Sequence, residues 1–278
     1  MNSKTSNDPR GSHDPRVDIF ADLLRQIPPG RLLDLATGHG KFALAAHKLG
    51  WEVTAVDART ERMPMTSGIE WIQADVRDFG VDGYDVITLL GLLYHLELEA
   101  QTDLLQRCSS TTILIDTHVS MRPTNFIQGY LGHFFEEAPE DARASWGNPF
   151  SYWLTEESLF RLILSSGYSS ILKVMPPPVT ADRTFYVAAR AAADELERLK
   201  AGFNEDSHNY RLEPLLGGAN VSSLVVHDLM TEIRRLHLEG EAAETRYHRL
   251  QSRKSVKVAL GIAGAARPVY KLLRRESR

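Results

Sequence analysis

Arg31-Leu-Leu-Asp34-Leu-Ala36-Thr-Gly38-His-Gly40-Lys-Phe-Ala43 is a short apolar run that ends in glycines and is followed at once by a helical pattern, KFALAAHKLG, closed by Gly50. A strand that yields to a helix through glycines leaves free amides at the helix start for a polar ligand, and it lets the backbone pass close to a bound nucleoside. The spelling alone does not separate two cofactors. Gly38, Gly40 and Ala43 also satisfy the dinucleotide fingerprint GxGxxA, so the flanking sequence has to decide.

Upstream, Arg16 to Gln26 reads as an opening helix stopped by Pro28, Pro29 and Gly30. Downstream, WEVTAVD, EWIQADV, YDVITLL and TTILIDTHV read as strands, with LELEAQTDLLQRC a helix before the last of them. SLFRLILSSGY is a further helix, with Thr155 and Ser158 placed to cap its start, and SILKVM with RTFYVAAR forms a terminal antiparallel hairpin. Strands and helices in this rhythm predict an α/β, Rossmann-like, mostly parallel sheet with helices on both faces.

Acids stand at the ends of three successive strands. Asp34 lies inside the first run, before the glycines, where a dinucleotide fold places another apolar residue. Asp57 ends the second, where a carboxylate can accept both hydroxyls of a ribose, and Asp75 follows the third, where it can accept an adenine amino group beside the amide of Val76. From Arg31 to Arg190 the chain resembles the class I methyltransferases, whose first motif is an acid followed by alternating glycines; Ala36 stands where that family usually has its first glycine. The resemblance implies S-adenosylmethionine as donor and S-adenosylhomocysteine as product. It places Asp34, Ala36, Gly38, Gly40, Asp57, Asp75 and Val76, with Leu90 and Gly91 at the fourth strand end, around the donor.

Methyl transfer from a sulfonium is dominated by positioning, but an alcohol acceptor adds a proton to remove. His118, just past the fifth strand, is the expected general base; His95 and Tyr94 in GLLYHL face the same cleft. Asp116, His118, Glu136 and Glu137 offer oxygen and nitrogen ligands of the kind a hard divalent ion takes, though their spacing is loose and no metal is expected. Between 120 and 155 the periodicity vanishes in a segment dense in aromatics, which reads as a substrate lid. Glu136, Trp146, Asn148, Tyr152 and Trp153 there combine flat apolar faces with polar edges, which suits a sugar or an aromatic ring.

Composition sets the remaining bounds. The chain has 278 residues, 43% hydrophobic, which suits one domain, expected at 16–192, with an appendage at 193–278 and a flexible start at 1–15. A single cysteine, Cys108, excludes an internal disulfide and a thiolate zinc site, and the lack of a long apolar run or an apolar N-terminal core predicts a cytoplasmic protein. Val226, Leu229, Ile233, Leu236, Gly240, Ala243, Tyr247 and Leu250 fall on heptad a and d positions, the pattern of a helix that packs on the main domain or pairs a homodimer. From Arg246 to Arg278 ten Lys or Arg face one Glu, about +9, so the rest carries about −13 of the net −4. The basic tail is a candidate for peripheral contact with the inner membrane surface, and the acidic body is poorly suited to nucleic acid. The leading expectation is O-methylation of a sugar or glycan hydroxyl. The alternatives are modification of a transfer RNA wobble base, from the similarity of GLLYHL to such enzymes, a non-catalytic donor-binding scaffold, and a nicotinamide enzyme, which Asp34 disfavours.

Overall fold

The computed structural model describes residues 14–137, 145–190 and 193–216. The chain divides into two units, Met1–Leu224 and Val225–Arg278, and every described residue lies in the first. The expected flexible start up to residue 13, the heptad helix and the basic tail fall outside the described residues, as do 138–144 of the lid.

The opening helix, α1, spans Pro15–Arg25; Asp14 caps it by accepting from the amide of Arg16 at 3.1 Å, and Pro15 supplies a residue that needs no donor there. Then come β1 (Arg31–Leu35), α2 (Lys41–Lys48), β2 (Glu52–Asp57), β3 (Ile69–Gln73), β4 (Val86–Leu90), α3 (Leu98–Arg107) and β5 (Thr112–His118). After the lid segment, α4 (Glu156–Ser165) starts at Thr155, whose hydroxyl accepts from the amide of Ser158 at 3.2 Å as its spelling predicts. β9 (Ser170–Met175) and β10 (Arg183–Ala189) form the expected antiparallel hairpin.

The main sheet has the order β3-β2-β1-β4-β5-β10-β9, continued by one more strand described below, and β1 to β5 are parallel. β4, at its centre, is buried at every position, as a strand covered on both faces must be. One face is covered by α3 and α4 through Leu104, Leu105, Leu162 and Ile163. The other is covered by α1 and α2 through Phe20, Leu23, Phe42 and Ala46.

Two features depart from the sequence reading. Residues 193–216 do not leave the sheet for a helical appendage: α5 (Ala193–Asp206) packs Leu196, Leu199 and Phe203 on the α1 face, and β11 (Arg211–Leu216) pairs antiparallel with β9. The boundary expected at 192 therefore moves beyond 216. The reason is physical: β9 would otherwise present an edge of unpaired amides and carbonyls, and Pro214, which discourages a strand reading, is tolerated on an edge strand. The lid, read from sequence as aperiodic, carries strands where described. β6 (Asn125–Ile127), β7 (Tyr130–Glu136) and β8 (Phe150–Leu154) make a small antiparallel sheet. Its first turn is Gln128-Gly129, both at positive φ (51° and 89°), the requirement of a two-residue hairpin met here without the usual Asn or Asp. Gln101, on α3, ties this sheet to the core by donating to the carbonyls of Leu96 and Tyr152 at 3.0 and 2.7 Å. Among the described residues no helix is long and apolar enough to cross a membrane.

Candidate functional site

Strand order reverses between β1 and β4, so their connections diverge to opposite faces and leave a crevice at the carboxyl ends of the strands. The glycine loop borders that crevice. Ala36, Gly38 and Gly40 all take positive φ, at 59°, 54° and 70°, so Ala36 adopts the left-handed conformation for which a glycine would be the unstrained choice. The loop is held by Thr37, whose amide donates to the carbonyl of Val56 at 3.0 Å, and by Gly38, whose amide donates to Oδ2 of Asp57 at 2.9 Å.

Asp34 turns inward from this loop. It is 1% exposed, and its two oxygens accept from the hydroxyls of Thr37 and Thr88, each at 2.6 Å. Burial pushes its carboxyl up to about 6 against those two hydrogen bonds. Asp34 thus builds the loop and does not line the cavity beyond it.

That cavity is lined by Ala36, Gly38, Asp57, Asp75, Val76 and Gly91, and also by Leu92, His95 and Trp146. Three residues expected there stand behind it. Besides Asp34, Gly40 begins α2, where a Cβ would meet Cη2 of Trp71 at 2.5 Å, and the side chain of Leu90 packs into the core on the α1 face, leaving the wall to Leu92. At Gly38 a Cβ would meet no atom within 4 Å, so open space begins at that backbone. Among the described residues Asp57 accepts from two amides, those of Gly38 and Arg59, and a carboxylate offers about four acceptor positions, so two remain there. Asp75 is more fully engaged: the amide, Nε and Nη2 of Arg77 all bond it, and those bonds hold its carboxyl below the usual range.

Beside the cavity the two expected histidines each have an acid partner. His95, in the turn after β4, meets Oε1 of Glu137 through Nδ1 at 3.1 Å, and the amide of Ser145 donates to Oε2 of the same carboxylate at 2.9 Å. A carboxylate only accepts in such contacts, so the His95 proton sits on Nδ1 and Nε2 keeps its lone pair. Burial holds the His95 ring below the ordinary imidazole range, with Glu137 opposing. His118 meets Oδ2 of Asp182 through Nδ1 at 2.9 Å, while Nη1 of Arg183 lies 3.2 Å from Nε2. A guanidinium only donates, so Nε2 of His118 is already an acceptor for Arg183. Tyr94 stands edge-on to His118 at 4.8 Å and close to His95 at 4.2 Å, and burial raises its phenol.

The lid residues divide. Trp146 closes the rim of the cavity next to Asp57 and Asp75, with the Arg59 guanidinium 5.4 Å from its ring and its carbonyl 3.4 Å from Nη2 of Arg77. Trp153 packs in near-parallel contact with both His118 and Phe135, each at 5.0 Å. Tyr152 and Asn148, expected as acceptor contacts, are structural. Tyr152 is 1% exposed and donates to the carbonyls of Asn125 and Tyr130; Asn148 donates to the carbonyls of His95 and Phe150. Glu136 is exposed at the end of β7, away from the lining of the cavity. Among the described residues no group of three His, Cys, Asp or Glu could hold a metal ion: Asp116 is gripped by Arg183, and Glu137 by His95 and Ser145.

Sequence reasoning missed Arg183, Asp182 and Phe135, and took Glu137 only as a metal candidate. Arg183, Asp182 and Glu137 lie far in sequence from the histidines they touch, and Phe135 stacks on Trp153. Only the antiparallel register of β10 on β5, which sets Arg183 opposite His118, brings two of them in.

No curated protein matches the sequence. The fold is similar to that of the N-terminal domain of EvdMO1 crystallised in the presence of SAH and D-fucose (TM-score 0.55, 22% identity, 66% of this chain and 85% of that one). The same domain with SAH bound gives a TM-score of 0.52 at 23% identity, over 67% and 82% of the two chains. The glycopeptide N-methyltransferase MtfA complexed with SAH is more distant (TM-score 0.46, 17% identity, 63% and 87%). The methyltransferase-domain model matches residues 13–154, just over half of the chain and the part that builds the cavity, and the chain belongs to that family.

Proposed function

We propose that the protein is an S-adenosylmethionine-dependent O-methyltransferase that acts on a hydroxyl of a small acceptor, a sugar or glycan. The observation that carries the reading is the cavity in which the ends of β1, β2, β3 and β4 meet beside His95. Asp57, with two acceptor positions left among the described residues, is the group for the ribose hydroxyls, and the open space at Gly38 admits a nucleoside against the backbone. Val76 offers its amide to the adenine. Asp75 reaches that base only by sharing its carboxylate with Arg77. When bound, the donor supplies a methyl group on a positively charged sulfur.

His118 was the expected base, and His95 is the better supported one. His95 lines the cavity with Nε2 unbonded among the described residues, whereas both nitrogens of His118 have partners. The aromatic cluster of Tyr94, Trp153 and the exposed Phe135 next to His95 offers an apolar surface to a sugar's C–H face. A protein of similar fold was crystallised in the presence of SAH and D-fucose, which makes deoxysugars and their glycosides the first acceptors to screen.

Calorimetric titration with S-adenosylmethionine, S-adenosylhomocysteine and NAD, for wild type and Asp57→Ala, tests the donor. Micromolar binding of the two adenosyl ligands, lost in the variant, is expected. Binding of NAD in their place would return the site to the dinucleotide class. Donor binding with no methylation of any hydroxylated acceptor would favour the scaffold.

A further inference from the structure

We propose that Glu137 is the positioning residue that orients His95 as the general base, and so makes the lid segment part of the catalytic apparatus; this rests on the O-methylation reading above. Glu137 is 5% exposed, which is rare for a glutamate unless it is paired. Its oxygens are divided between Nδ1 of His95 and the amide of Ser145, at 3.1 and 2.9 Å, and its own amide donates to the carbonyl of Pro149 at 2.9 Å. The lid also holds His95 by the backbone: Oγ of Ser145 donates to the His95 carbonyl at 2.7 Å and Nδ2 of Asn148 at 3.1 Å. One histidine is thus fixed at ring and carbonyl by a segment more than forty residues further along the chain. A merely structural lid would not need a buried carboxylate aimed at an imidazole, because the two bonds to the His95 carbonyl already dock it.

In the step, a lone pair of the acceptor oxygen forms the bond to the methyl carbon, and the carbon–sulfur bond breaks with its electron pair going to sulfur. The hydroxyl proton passes to Nε2 of His95. The imidazolium so formed carries its second proton on Nδ1, against the Glu137 carboxylate, which stabilises that charge. The groups facing the ring are Glu137 from just past the end of β7, Arg183 from β10, His118 from β5 and Tyr94 from its own turn, with the Asp75–Arg77 pair and Asp57 beside Arg59 across the cavity. Glu137 is the one of these bonded to it.

The test compares Glu137→Gln, Glu137→Asp and Asp182→Asn in the full chain. The readouts are S-adenosylhomocysteine affinity, the NMR titration of the His95 ring, and the pH profile of kcat with a hydroxylated acceptor. In Glu137→Gln the affinity is retained, the His95 titration and the rising limb of kcat both move down by about one pH unit, and the plateau falls at least about tenfold. Glu137→Asp restores part of the loss, and Asp182→Asn leaves the limb in place. An unmoved His95 titration in Glu137→Gln, or a limb that moves with Asp182→Asn instead, overturns the proposal while turnover by wild type stands. A wild type that binds the product yet methylates no hydroxyl fails the parent reading, and the base role with it.

Discussion

Arg183 grips the fully buried carboxylate of Asp116 with two nitrogens, Nε on Oδ1 at 2.9 Å and Nη2 on Oδ2 at 2.7 Å, while its third, Nη1, reaches His118. A carboxylate with 0% exposure beside the cleft is held in place by this fork and by a longer contact from Arg16 at 3.3 Å. The fork also places the guanidinium 5.4 Å from the Tyr94 ring, so the charge network and the aromatic cluster form one support behind the cavity.

Removing one partner of such a pair strands the other in a low-dielectric site. Arg183→Leu is expected to lower stability by about 3–5 kcal/mol, and the double variant with Asp116→Leu should regain much of that because no buried charge is left behind. Urea unfolding of the three proteins measures both quantities. A single variant within about 1 kcal/mol of wild type would mean that Arg16 or water replaces the fork.

The glycine loop separates fold from function position by position. Gly40→Ala places a Cβ at positive φ and 2.5 Å from Trp71, so a loss of about 2–4 kcal/mol in stability is expected. Gly38→Ala meets no atom, so its cost is confined to the left-handed backbone, about 1–2 kcal/mol, while its methyl enters the space assigned to the donor. Melting temperature should therefore fall most in the first variant, and S-adenosylhomocysteine affinity should fall in the second although it still folds. Equal affinity in Gly38→Ala and wild type would place the donor elsewhere.

Asp34 makes the fold sensitive to pH in a direction opposite to most carboxylates. Its folded pKa, about 6, lies above the ordinary value of 3.8, so the protonated form favours the folded state. That contribution is complete below about pH 4 and is lost as pH rises through 6. Relative to Asp34→Asn, wild-type stability is expected to fall by about 3 kcal/mol between pH 4 and 7 and then level off. Parallel stability curves for the two proteins over this interval would show that the Thr37 and Thr88 hydroxyls fully offset the burial.

Much of this arrangement was legible before any coordinates. The alternation of short apolar runs with helical repeats placed β1 to β5 and both later helices with ends within about three residues, because parallel strands buried on both faces leave a strong apolar signal. Asp57 and Asp75 line the cavity because a strand end fixes where the side chains beside it go. Asp34 turns inward from the cavity, held by two threonine hydroxyls, and sequence does not tell which way a residue inside a strand turns. The lid sheet was missed because its turn uses Gln128 where Asn or Asp is the usual sign, and its strands mix exposed Phe134 and Phe135 with buried Leu131 and Tyr152 out of simple alternation. The acid partners of the histidines were invisible for a different reason: contacts such as His95 with Glu137 and His118 with Asp182 span 42 and 64 residues, and no local pattern encodes them.

Trp146 tests whether the lid closes on the donor or on the acceptor. Its ring is 53% exposed, yet its segment is held from below by two arginines, Arg59 on the carbonyl of Ser145 at 3.3 Å and Arg77 on the carbonyl of Trp146 itself. Those arginines follow Asp57 and Asp75 by two residues each, so the ring is anchored to the same two strand ends that line the cavity. A large aromatic fixed there is positioned to cover a flat base, an interaction that contributes about 0.5–1.5 kcal/mol beyond area burial. Trp146→Ala is therefore expected to weaken S-adenosylhomocysteine binding about tenfold with little change in melting temperature, because an exposed ring contributes little to the core. Intrinsic fluorescence should change on titration of wild type, and Trp146→Phe should remove most of that change while keeping most of the affinity. If instead the affinity of Trp146→Ala stays within about twofold and the KM for the acceptor rises, the ring belongs to the acceptor, as its aromatic and polar edges first led the sequence to be read.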